Sequence, residues 1–123
     1  MNALPSKGRR RSKAAPKKPG YKMKVETDVY VIMRDGVRIG VRVYRPDAEG
    51  RFPVLFAASP YQYDTDDLPH SPLFLWREVG PVEWYVSHGY AYVHADVRGT
   101  GKSEGSFGLL DRTEQQDLYE LVE

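Results

Sequence analysis

The chain has 123 residues, 41% hydrophobic, 12% aromatic and 28% charged, which fits one globular domain able to bury a core. It has no apolar run near the ~18 residues that cross a bilayer, no apolar centre of a secretory signal near its start, and no cysteine, which excludes disulfides, thiol nucleophiles and thiolate metal sites. Its net charge of +1 conceals an asymmetry: residues 1–24 carry nine Lys or Arg and no acid, and the remaining 99 residues net −8.

Residues 1–20, "MNALPSKGRRRSKAAPKKPG", hold too little apolar surface to offset their ordering entropy and are expected to form a disordered basic tail. The run "KGRRRSK" suits phosphate backbones, anionic lipid or targeting, or simply solubilises the chain. A folded unit is expected over 21–123, in a cytoplasmic protein.

Val25, Val29 and Val31, then Val37, Ile39, Val41 and Val43, alternate with charged residues around Asp35-Gly36. This predicts an antiparallel hairpin, strands near 25–33 and 37–45, joined by a tight primed turn. "PVLFAAS" (53–59) is apolar without alternation and suits a strand buried on both faces. The loop "PYQYDTDDLPHSP" follows, and loops at strand ends often carry function.

Residues 73–88 read as helical with a break at Gly80-Pro81; Val82, Tyr85 and Val86 share one face, and His88-Gly89 supplies a C-terminal cap. "YAYVHAD" (90–96) is a second buried-strand candidate, followed by the glycine-rich 99–108. Asp111 and Glu114 stand in capping-box spacing, opening a helix with Leu118, Leu121 and Val122 as its apolar stripe. That helix reaches Glu123 without a Gly cap or a following strand. The alternation predicts an α/β fold: an antiparallel hairpin leading into a mostly parallel sheet with flanking helices, here incomplete, the opening third of a larger domain.

"GKSEG" (101–105) fits two catalytic patterns, the G-x-S-x-G nucleophile elbow and the G-K-S end of a phosphate-binding loop. The phosphate loop needs a glycine five residues before Gly101, where Asp96 stands, and a carboxylate there opposes phosphate. The elbow needs its serine directly between strand and helix. Ser103 lies seven residues past Asp96, and helix signals resume only at Asp111. Ser103 is therefore expected to be a loop serine bonding nearby backbone.

With its surroundings the same loop is more specific. "MRDGVRIGVRVYRP", "FPVLFAASPYQYD" and "GYAYVHADVRGTGKSEG" together closely resemble the start of the CocE/NonD family of α/β-hydrolases, which includes cocaine esterase, α-amino-acid ester hydrolases and X-Pro dipeptidyl-peptidases. The resemblance covers about residues 25–123, and its most specific part is D-x-R-G-x-G-x-S-x-G, with Asp96, Arg98, Gly99, Gly101, Ser103 and Gly105. It implies the N-terminal part of an α/β-hydrolase fold. It also implies cleavage of small-molecule esters or peptides by acyl transfer through a Ser-His-Asp triad, with no cofactor or metal. Nucleophile, acid and histidine would all lie beyond Glu123, leaving this segment inert alone.

By the same resemblance the one catalytic residue here is Tyr61, whose hydroxyl would donate to the oxyanion of the tetrahedral intermediate. Asp96 and Arg98 are expected to organise their loop, the aspartate accepting backbone N–H bonds and the arginine pairing with a carboxylate or carbonyl. His70, His88 and His94 make no metal motif and no credible triad base; His94 is expected in the core and His88 at a helix C-terminus. Two other classes remain open. One is a non-catalytic binding or regulatory module contacting nucleic acid or anionic membrane through residues 1–20. The other is a truncated fragment that aggregates through unpaired sheet edges. Oligomeric state is not legible.

Overall fold

A computed structural model describes residues 20–67 and 80–123. The expected tail at 1–20 (Gly20 apart), the helical reading of 73–79 and His70 lie outside the described residues. Strands β1 (Met23–Ile32), β2 (Arg38–Pro46), β3 (Val54–Ser59) and β4 (Ala91–Asp96) form one sheet in the order β1-β2-β4-β3. A short 3₁₀ turn spans Tyr63–Asp67, and two helices follow, α1 (Val82–Ser87) and α2 (Arg112–Val122). None of the described helices is long and apolar enough to cross a membrane.

β1 and β2 pair antiparallel from Met23↔Pro46 to Ile32↔Arg38, with a register shift between Glu26 and Val29. The connection differs from a two-residue primed turn. Gly36 N–H donates to the Met33 carbonyl at 2.8 Å and Met33 N–H to that of Val37 at 2.8 Å. Gly36 sits at φ +85°. This is a three-residue loop ending in a left-handed glycine. It leaves Asp35 free to accept from Val37 N–H (3.3 Å) and from Arg98.

β4 joins the hairpin antiparallel to β2 and takes β3 in parallel, Val54↔Ala91 through Ser59↔Asp96. The sheet is thus mixed, and its parallel part begins at β3/β4, where a helical crossover replaces the hairpin. Central β4 is buried along almost its whole length. β3 is an edge among the described strands and is only half-buried, with Val54 57% exposed.

Among the described residues each face carries one helix, because side chains alternate across a strand. Tyr44 and Tyr92 pack with Val86, Val82 and Tyr85 of α1 on one side. Ile39, Val41 and Ala95 pack with Met33 and with Leu121 of α2 on the other. α1 ends as expected, with Gly89 at φ +91° and the bonds Gly89 N–H to Val86 and Tyr90 N–H to Tyr85 of a Schellman cap. α2 opens on Asp111, which accepts from Glu114 N–H at 2.8 Å, and Glu114 reaches back to Leu110 N–H at 2.7 Å. Its inward side departs from the expected apolar stripe. Leu121 meets the core, but Val122 is 71% exposed and Glu114 and Asp117 are buried, Glu114 capping Leu110 N–H and Asp117 meeting Arg98.

Candidate functional site

The carboxyl ends of β3 and β4 lie side by side, and two loops leave them. One carries Tyr61, the other Asp96 to Gly105. Parallel strands place such loops together, which is why ligands of α/β sheets bind at this end.

The Asp96 loop is held by its own motif. The Asp96 carboxylate is 1% exposed and accepts from Tyr63 N–H at 2.7 Å and Lys102 N–H at 2.9 Å. Burial pushes its pKa up, against the two N–H bonds that pull it down. Arg98 grips Asp117 through two bonds of 2.7 and 2.8 Å and Asp35 through two more of 2.8 and 3.2 Å. Those bonds to Asp117 and then Asp35 hold the guanidinium above its ordinary range. Both residues therefore organise the loop, as expected.

Ser103 accepts from Gly40 N–H at 2.9 Å and donates to the Asp96 carbonyl at 2.6 Å. Its hydroxyl is committed to backbone on both sides, and in the chain it stands seven residues past the end of β4 and nine before the start of α2. A nucleophile elbow is absent at this position.

Tyr61 stands two residues past Ser59, the last residue of β3, and is 47% exposed. Its N–H donates to the fully buried Ser59 hydroxyl at 2.9 Å, and Gln62 beside it has φ +66°. The phenol hydroxyl has no partner among the described residues.

Beyond it the chain turns back over the sheet in a network that strand alternation did not reveal. Arg42, 6% exposed on β2, donates to Asp67 at 3.0 Å and Asp64 at 3.4 Å. Tyr44 donates to Asp66 at 2.7 Å, and Asp66 also meets His94 Nδ1 at 2.9 Å. Tyr63, fully buried, donates its hydroxyl to Asp28 at 2.6 Å. The loop acids therefore bond strand side chains; the sequence showed only an arginine and a tyrosine at alternate positions of β2 and, separately, an Asp-rich loop.

His94 lies in the core as expected, 2% exposed, with Nε2 unpartnered among the described residues. His88 caps α1, with Nδ1 2.8 Å from the Trp84 carbonyl and 3.1 Å from the Ser87 hydroxyl. That Ser–His contact is a local helix ending, because the serine donates to the Trp84 carbonyl at 2.9 Å. The described residues contain no cluster of three or more His, Cys, Asp or Glu able to hold a metal.

The family model for X-Pro dipeptidyl-peptidase (S15 family) matches residues 35–123. The chain belongs to the S15 family. It is 45% identical over 85 residues to cocaine esterase of Rhodococcus sp. (strain MB1 Bresler), which covers 68% of this chain and 13% of the esterase. A CocE/NonD family hydrolase from Staphylococcus aureus has the same fold over 82% of this chain and 20% of its own, with TM-score 0.71 and 31% identity. An aminopeptidase from a marine sediment archaeon, Thaumarchaeota archaeon, aligns over 83% of this chain and 18% of its own, with TM-score 0.57 and 26% identity. The S15 chain thus spans under a quarter of the length of these relatives. The CocE/NonD resemblance carried by the Asp96 loop is the right one, and the sheet with its two flanking helices is an α/β-hydrolase architecture.

Proposed function

We propose that this S15 chain forms the oxyanion-stabilising side of a serine hydrolase that cleaves esters or amides by acyl transfer, with Tyr61 as one oxyanion donor. The observation that carries the reading is the setting of Tyr61. A phenol with no partner among the described residues stands at the joint carboxyl end of two parallel strands, its backbone fastened by Ser59. A pre-oriented donor there stabilises charge that develops only in the transition state.

On the family resemblance the nucleophile, acid and histidine are assigned to sequence outside residues 1–123; of the described serines, Ser59 and Ser103 are held by backbone and Ser87 caps a helix. The substrate class, a small ester or an Xaa-Pro peptide, follows from the names of the relatives. On this reading the 123-residue chain alone is inert.

The test is hydrolysis of p-nitrophenyl acetate by the whole protein and its Tyr61→Phe variant. Loss of the donor is expected to lower kcat about 10²–10³-fold with KM little changed. An unchanged kcat removes Tyr61 from the mechanism. Turnover by purified 1–123 above its own Tyr61→Phe control overturns the assignment of the nucleophile elsewhere.

A further inference from the structure

Tyr61 has nothing of its own to aim it. Among the described residues its hydroxyl has no partner and its side chain is half exposed, so the direction of the phenol is set by the backbone that carries it. That backbone is fastened at two points, one on either side of the turn. Upstream, Ser59 is fully buried at the end of β3; its hydroxyl accepts from Tyr61 N–H at 2.9 Å and its carbonyl from Val97 N–H at 3.3 Å. Downstream, Tyr63 N–H is taken by the Asp96 carboxylate at 2.7 Å.

Both fastenings run to the same place, the end of β4 at Asp96 and Val97. Between them Gln62 is held at φ +66°, a conformation that a non-glycine residue keeps only when its surroundings impose it. The second Asp96 oxygen is not free to relax, because it accepts from Lys102 N–H at 2.9 Å. The space is closed as well: a Cβ added at Gly101, which has φ +50°, would stand 2.0 Å from that oxygen. A charged acceptor for two backbone N–H groups makes stronger bonds than a neutral one.

We infer that Asp96 is a positioning residue for Tyr61, its carboxylate locking the 59–63 turn against the 96–103 loop so that the phenol is pre-aimed. This rests on the reading of Tyr61 as oxyanion donor and adds a residue to it. Asp96 touches no reacting atom; it acts through Tyr61 alone. A donor displaced by about 1 Å loses on the order of 10²-fold in rate, so a turn released at Tyr63 shows in kcat and leaves KM almost untouched.

A double-mutant cycle on the whole, active protein tests this, with kcat and KM for p-nitrophenyl acetate measured for the parent, Asp96→Asn, Tyr61→Phe and the double variant. Asparagine has one acceptor oxygen and must turn its NH₂ toward the other backbone N–H, which releases one fastening. The expected result is a kcat about 10–10²-fold lower for Asp96→Asn and no further loss when it is added to Tyr61→Phe. Losses that multiply in the double variant overturn the inference, because Asp96 then acts independently of the phenol. An unaltered kcat in Tyr61→Phe alone overturns the donor reading and this inference with it. Should Asp96→Asn not fold, Ser59→Ala removes the upstream fastening with little change of volume. In the same cycle with Tyr61→Phe, no further loss then supports the locked turn, and losses that multiply overturn it.

Discussion

Ser103 shows how a five-residue motif takes its meaning from three-dimensional surroundings. Its hydroxyl both accepts from Gly40 N–H and donates to the Asp96 carbonyl, tying the glycine loop to β2. Ser103→Ala leaves those two part-buried backbone groups without partners, at about 1–3 kcal/mol. We expect a lower urea midpoint with turnover surviving. A loss of activity on the order of 10⁶-fold, as when a serine nucleophile is removed, would return Ser103 to that role. The glycine-rich spacing was legible in the sequence; what excluded the elbow was the distance from Asp96 to Asp111, which is a loop in the structure.

At the scale of elements, α2 is joined to the sheet as much by ions as by apolar packing. Asp117 has a side chain 3% exposed and receives Arg98, itself 9% exposed, together with Arg34. Arg98 also reaches Asp35 in the hairpin loop, so one guanidinium joins the loop after β4, the hairpin and α2. Removing Arg98 leaves the buried Asp117 carboxylate with only the part-exposed Arg34 among the described residues. Arg98→Met is expected to cost about 3 kcal/mol by urea unfolding, and Asp117→Leu added to it to recover most of that loss. No recovery would mean that Asp117 is solvated and the pair structurally minor. The capping box and the arginine were readable from the sequence. That α2 turns a carboxylate inward was not, because a buried aspartate looks like any polar position until its partner, 19 residues away, is in place.

For the molecule as a whole the paired carboxylates set the response to acid. Asp28 is held below its usual range by Tyr63 and then Lys102, Asp35 by Arg98, and Glu104 by Arg38. A depressed folded pKa contributes stability above the unfolded value, ~3.9 for Asp and ~4.3 for Glu, and that contribution is lost as pH falls through the folded value. Asp96 has the opposite sign: burial raises its pKa, so stability rises as pH falls through its folded value. The urea midpoint is therefore expected to hold or rise slightly down to about pH 5 and to fall below about pH 4. The combined Asp35→Asn and Glu104→Gln variant flattens that fall. An equally steep fall in this variant would show that other groups govern acid unfolding.

The order and type of the elements and the hairpin were fixed by local pattern. Alternation, glycine and proline placement and capping spacing act over a few residues and so are written in the chain. Tyr61 was legible as a strand-end tyrosine of a recognisable motif. The tertiary structure alone decided that Arg42 and Tyr44 face inward to Asp64, Asp66 and Asp67, that Asp66 meets His94, and that Asp96 reaches Tyr63. Alternation assigns side chains to two faces of a strand, but which face another segment covers depends on contacts between residues 22 to 33 apart in the chain. Such contacts form only when the sheet has closed and the 60–67 segment has folded back over it.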